Sequence, residues 1–181
     1  MTTFLIIVAL VVVMGVVFYN RLVTLRNNVR NAWKQIDVQL KRRYDLIPNL
    51  VESVKDSMEY EQETLRMVVE ARNRAVSAET PAQISAAEQM LAPAMGKLFA
   101  VMEAYPQLKA QDNIARMMEE LTGTENKIAF ARQYYNDSVM RMNNAVETVP
   151  TNFVAKAFNF KAEEYFEVPE VEKEAIKVNL R

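Results

Sequence analysis

The chain has 181 residues, with only three glycines and six prolines, and Ala, Glu, Leu, Lys, Arg, Met, Val and Gln dominate it, which is the composition of a helix former. Cysteine and histidine are both absent, which excludes disulfides, thiolate and imidazole metal ligands, and the commonest general base. The formal net charge of −1 is unevenly spread, because Arg21, Arg26, Arg30, Lys34, Lys41, Arg42 and Arg43 face only Asp37 in their stretch, and the first twenty residues carry no charge at all.

The first predicted element is an uncharged run made of Phe4, Leu5, Ile6, Ile7, Val8, Ala9, Leu10, Val11, Val12, Val13, Met14, Gly15, Val16, Val17, Phe18 and Tyr19. As a helix it is about 24 Å long, slightly short of a bilayer core of roughly 30 Å. Thr2, Thr3 and the interfacial Tyr19 make up the difference, and Arg21 snorkels past Leu22 and Val23. A cleaved signal peptide fits poorly, since no basic residue precedes the run and no small-x-small site follows it. The expected organisation is a single-pass anchor over 1–20, a helical bundle over 21–150, and an aromatic then charged tail over 151–181. Basic residues flank the span only on its C-terminal side, so the positive-inside rule puts the N-terminus outside and the main domain in the cytoplasm.

Beyond the anchor, Leu22, Leu25, Val29, Trp33, Ile36, Leu40, Tyr44, Ile47, Val51, Val54 and Met58 recur at spacings of three and four, one face of a helix. The phase continues through Leu65, Val68, Val69 and Ala75 to Ser77. Pro48 falls inside it and admits two readings. Asp45 caps a new helix after a reversal at Arg43–Asp45, or one long helix bends. Thr80 is a predicted N-cap with Pro81 at the first helical position, opening a helix that Pro106 stops. From Asp112 to Pro150 the longest helix carries Ile114, Met118, Leu121, Glu125, Ile128, Arg132, Tyr135, Val139, Met142, Val146 and Val149, a coiled-coil-like seam. The tail contributes Phe153, Phe158, Phe160, Tyr165 and Phe166 and is expected to dock as far as Phe166, with a loose charged end beyond Pro169. The fold class is therefore all-α: an anchor followed by an antiparallel up-and-down bundle of four long helices, or three if the first is continuous through Pro48.

Few side chains suggest chemistry. The carboxylates Glu61, Glu63, Glu70, Glu103, Glu119, Glu120 and Glu125 read as a solvated face, because a di-iron bundle needs Glu-x-x-His pairs. Glu125 and Arg132 fall on the apolar seam and suggest a polar layer, joined by Arg72, that fixes helix register. Lys41 stands roughly 30 Å above the membrane along a straight helix, beyond a Debye length of about 8 Å, so Lys41, Arg42 and Arg43 are expected to face the acidic bundle or a partner rather than lipid. Most of the methionines sit at core phases and fill gaps.

Six segments taken in order resemble the LemA family of bacterial membrane proteins. They are the N-terminal span, RNAWKQIDVQLKRRYDLIPNLVESVK (Arg30–Lys55), VVEARNRA (Val68–Ala75), YPQLKA (Tyr105–Ala110), LTGTENKIAFARQYYND (Leu121–Asp137) and TNFVAKAFNFK (Thr151–Lys161). The resemblance implies a four-helix bundle on a single anchor in the bacterial inner membrane, with a helix boundary at Pro48 and no agreed catalytic activity. This chain reads VKDSMEYEQE over Val54–Glu63 where the family often has Gly and His. The expected function is that of a non-catalytic membrane-anchored scaffold or adaptor. It self-associates as a homo-oligomer and binds envelope proteins through an edge of Lys41, Arg42, Arg43, Arg72, Glu125, Arg132, Tyr134 and Tyr135. The alternative is an accessory or substrate-recognition subunit of a membrane protease or quality-control system. Apart from the lipid bilayer no ligand is expected: no cofactor, no metal, no nucleic acid and no small-molecule substrate.

Overall fold

A computed structural model describes residues 1–166, so the expected loose end of the tail beyond Pro169 lies outside the described residues. The described chain is all-α, a long N-terminal helix with an apolar first part followed by antiparallel packed helices. Its elements are α1 (Thr2–Lys55), a 3-10 turn (Glu59–Glu61), α2 (Gln62–Val76), α3 (Pro81–Met102), the single turn α4 (Pro106–Lys109), α5 (Asp112–Glu147) and α6 (Thr151–Ala157). By internal packing the chain forms two units. One combines residues 1–36 with 130–165, and the other combines 37–129 with Phe166.

In the first unit no residue of the apolar run of α1 is buried, all but Gly15 and Phe18 being exposed, and the helix is long and apolar enough to cross a bilayer. Burial begins at Leu22 and continues at Val29, Ala32 and Ile36, with Ala131, Tyr135, Val139, Met142 and Ala145 of α5 completing the core. The Trp33 and Tyr135 rings meet with centroids 5.4 Å apart. The chain after α6 is strapped to α5 by polar contacts. The Asn143 side-chain amide donates to the Glu163 carbonyl at 3.0 Å and accepts from the Glu163 N–H at 2.8 Å, and the Tyr135 hydroxyl donates to the Glu164 carbonyl at 2.9 Å. These bonds satisfy backbone groups that a non-helical segment would otherwise leave open.

In the second unit α2 packs on α3. α2 buries Leu65, Val68, Ala71 and Ala75, while α3 buries Ile84, Ala87, Leu91, Ala94, Met95, Leu98 and Met102. Alternating alanines with larger side chains suits close helix contact. Thr80 caps α3 as expected. Its hydroxyl accepts from the Gln83 N–H at 3.2 Å, the Gln83 side chain accepts from the Thr80 N–H at 3.3 Å, and Pro81 opens the helix.

Two expectations are corrected here. Pro48 is neither a helix boundary nor a reversal: α1 runs through it to Lys55. The long phase read through to Ser77 is instead cut just after Lys55. There the chain turns at Asp56–Met58, Met58 is fully buried, and the 3-10 turn leads into α2. Four long helices result from a break at a place without glycine or proline.

The seam of α5 is also shifted. The larger series Ile114, Leu121, Ile128, Tyr135 and Met142 is buried as expected, and so is Val139, but elsewhere the partner positions that go fully inside are Thr124, Ala131, Ser138 and Ala145, three residues on rather than four, with Met118, Arg132 and Val146 only partly buried. Glu125 stands half exposed, and Val149 is exposed beyond the helix end at Glu147. Small side chains carry weak hydropathy, so a reading by apolar size passed over Thr124, Ala131, Ser138 and Ala145.

Candidate functional site

The strongest constellation of ionisable groups lies inside the second unit. Arg43 and Tyr44 project from α1 and Glu88 from α3. Arg43 Nη1 donates to Glu88 Oε2 at 2.8 Å and the Tyr44 hydroxyl donates to Glu88 Oε1 at 2.8 Å, so both carboxylate oxygens are engaged. Arg43 and Glu88 are 3% and 2% exposed. On α5, Glu125 Oε2 meets Arg43 Nη2 at 3.2 Å from a position half open to solvent. The guanidinium thus bridges two carboxylates, one dry and one wet, which matches its planar fork of donors. A cleft of about 240 Å³ opens beside it, lined by Arg43, Met95, Gly96, Phe99, Leu121 and Glu125 among others.

Pro48 belongs to the same construction. A proline has no N–H for the carbonyl four residues before it, which here is that of Tyr44. Arg72 of α2 supplies the missing donor, its Nε lying 3.1 Å from the Tyr44 oxygen. The helix continues because a cation from a neighbouring helix satisfies the acceptor that the proline orphans. Arg72 also donates to the Asn73 side chain at 3.2 Å.

The remaining candidate residues are scattered. Lys41 is exposed, and Arg42 meets Glu120 at 3.4 Å with both side chains half open. In the first unit Tyr134 is exposed, Arg132 is partly buried, and Tyr135 is in the core, where burial and then the charges of Glu163 and Glu164 push its phenol up to about 12. The structure therefore gathers Arg43, Arg72 and Glu125 into one polar cluster, adds Tyr44 and Glu88, and leaves the others out of it. Glu88 escaped sequence reasoning because Glu in an Ala-rich helix is ordinarily solvated. Its sequence signal is its position one residue after Ala87 and three before Leu91, beside the buried stripe.

A second concave feature, an open groove of about 700 Å³, follows the last turns of α1 and the first of α2, over Val51, Glu52, Lys55, Asp56, Leu65 and Arg66 among others. Its one arginine pairs locally. Arg66 meets Glu63 at 2.9 Å and Glu70 at 3.1 Å, and its hydrogen bond and charge hold the Glu63 carboxyl below its ordinary range. Four of its lining residues, Lys55, Asp56, Glu59 and Gln62, come from the Val54–Glu63 segment.

Comparison with known proteins places this architecture. Over 174 residues the chain is 26% identical to the magnetosome protein MamQ of Magnetospirillum gryphiswaldense, covering 82% of this chain and 64% of that protein. It is 27% identical over 175 residues to magnetosome protein MamQ 2 of Paramagnetospirillum magneticum, with the same coverages. The protein LemA of Metamycoplasma hominis is 25% identical over 158 residues, covering 85% of this chain and 71% of the relative. The chain thus spans slightly under two thirds of the length of the MamQ proteins it matches. The model of the LemA family matches residues 32–180, which takes in the buried Arg43 cluster, Pro48 with Arg72, and the whole of α5. The chain belongs to the LemA family.

Proposed function

We propose that this protein is a non-catalytic, membrane-anchored helical scaffold that self-associates and binds other envelope proteins, with its N-terminus outside and its packed helices in the cytoplasm of a bacterial cell. The observation that carries the reading is the two-part nature of α1. Its first part is apolar with no buried residue, and within the same packed unit it continues without interruption into the core positions Leu22, Val29 and Ile36. A helix built this way transmits position from a bilayer to a folded domain, which is what a tether requires. Two further features support it. The ionisable groups drawn into the second unit, Arg43, Tyr44 and Glu88, are engaged with one another. On α5, Phe130 and Tyr134 stand exposed one helical turn apart, an aromatic pair of the kind enriched at protein–protein contacts.

The test is extraction of the full chain in mild detergent, followed by light scattering with subtraction of the detergent mass and by identification of copurifying proteins after crosslinking in cells. A multiple of the protomer mass with specific crosslinked partners is expected. A lone monomer without partners refutes the reading. Orientation is checked by labelling a single introduced cysteine at exposed Tyr60 with an impermeant reagent, which should react only after lysis.

A further inference from the structure

We infer that α6 and the residues flanking it form a second, interfacial membrane contact, a foot that inserts its aromatic side chains at the headgroup–acyl boundary of the same leaflet from which the anchor emerges. The inference rests on the anchor reading and adds a lipid-binding surface to it.

Every residue involved lies in one packed unit. Tyr19 closes the exposed apolar run of α1. The Phe158 ring packs on it with centroids 4.8 Å apart, and the Phe160 ring follows at 5.8 Å while also lying 5.0 Å under the Arg26 guanidinium. The end of the span and the end of α6 are therefore one aromatic cluster. Helix rise gives the same level independently. Trp33 stands fourteen residues past Tyr19, about 21 Å along α1. It pairs with Tyr135 on antiparallel α5, which then runs twelve residues back to Glu147, about 18 Å. The chain thus enters α6 within roughly a turn of the height of Tyr19.

What α6 presents at that height is unusual for a water-facing surface. Thr151 and Ala155 are buried against the unit, whereas Phe153 is 67% exposed and Phe158 60%, with Val149 also open just before the helix. Lys156 sits exposed among them, and Arg21 is exposed next to the span. Exposed aromatics flanked by cations at the mouth of a membrane span are the composition of an interfacial belt and of short helices that lie in the interface. The lipid interface that the span already occupies is continuous with this patch through the Tyr19–Phe158 contact, which selects lipid over a protein partner as its occupant.

The chain has no cysteine, so single cysteines at Phe153, Phe158, Val12 and Gln35 carry an environment-sensitive fluorophore without background. The full-length protein is placed in bilayer nanodiscs of phosphatidylcholine and phosphatidylglycerol. Lipids with a nitroxide near the headgroup or at mid-chain report depth, and aqueous iodide reports exposure. At Phe153 and Phe158 the shallow nitroxide should lower emission roughly twofold or more, and iodide should have little effect. Val12 should respond to the mid-chain nitroxide, and Gln35, exposed on α1 sixteen residues past Tyr19, to iodide alone. Lipid quenching at Val12 with full iodide access at Phe153 and Phe158 overturns the foot and leaves the anchor standing. Protection from iodide without lipid quenching shows a protein or a second copy over the patch and also overturns it. No lipid quenching at Val12 overturns the anchor and the foot together. Circular dichroism of each labelled variant verifies the fold, and Phe153→Ser with Phe158→Ser, read from a label at Val149→Cys, should restore iodide access if the rings hold the segment in the interface.

Discussion

The contact between Arg72 and the Tyr44 carbonyl makes a quantitative claim about how a proline survives inside α1. Removing the donor with Arg72→Met keeps most of the side-chain stem and leaves the Tyr44 oxygen, with no N–H at Pro48, without its 3.1 Å partner. A charged donor to a carbonyl contributes about 1.5–3 kcal/mol, and because Arg72 is only partly buried the lower end applies, about 1.5 kcal/mol. Pro48→Ala restores an amide at the position from which the helix ladder normally serves that oxygen, and should stabilise the chain. In that background Arg72→Met should cost about 1 kcal/mol less than in the natural sequence, a coupling measurable in a double-mutant cycle. The assay is urea unfolding of the full chain in detergent, followed by the helical circular dichroism signal, with stabilities compared only where the denaturant slope is unchanged. If Arg72→Met costs the same in the natural sequence and in the Pro48→Ala background, to within about 0.3 kcal/mol, Arg72 is not replacing the missing amide and the explanation for the unbroken helix fails.

Other consequences can be checked in the same assay. Arg43→Met removes the cation from the buried Glu88 carboxyl and should cost about 3–5 kcal/mol, while Glu125→Gln, at the half-exposed end of the same bridge, should cost under about 1 kcal/mol; equal costs would refute the division into a dry and a wet carboxylate. The Tyr135 phenol is raised to about 12 in the folded protein, so between pH about 10 and 12 the unfolded chain has lost a proton that the folded chain retains, and stability falls as pH rises through that window, by on the order of 2 kcal/mol. Tyr135→Phe should be less stable than the natural chain near neutral pH and lose less across the window, and parallel pH curves for the two proteins would exclude the assignment. A Cβ built at Gly96 or Gly123 meets nothing within 4 Å, and both glycines are helical, so Gly96→Ala and Gly123→Ala should each raise stability by about 0.5–1 kcal/mol; a lowered melting temperature would show that these backbones are needed for a close approach.

What the residues reveal without coordinates depends on how local the determining physics is. The apolar start of α1 needs only a charge-free run of sufficient length, and α3 begins where Thr80, Pro81 and Gln83 place a cap, a fixed φ and a reciprocal bond within four residues. The core of α1 follows from period and polarity, with the phase settling on Ala32 and Leu50 as well as the larger residues. On α5 period alone was ambiguous, since a strip at three and a strip at four differ only in whether Thr124, Ala131, Ser138 and Ala145 or their neighbours turn inward. Small side chains win that competition at Thr124, Ala131 and Ala145, while Val139 is buried beside Ser138; they win because they let helices approach, and that benefit exists only once a second helix is present.

The sequence by itself determined the helical class, the apolar N-terminal helix, the capped start of α3 and, through six ordered segments, the family. Tertiary structure alone decided the fate of Pro48, because its orphaned acceptor on Tyr44 is met by an arginine 28 residues further along the chain. It also decided the reversal at Asp56–Met58, where burial of Met58 and packing of α2 on α3 outweigh a continuous helical phase. The Arg43 cluster is of the same kind: an arginine in a basic run and a glutamate in an alanine-rich helix look solvated until folding brings them to 2.8 Å in a dry interior. Local propensity is written residue by residue, whereas the pairing of a donor with an acceptor in the interior depends on which helices share a core.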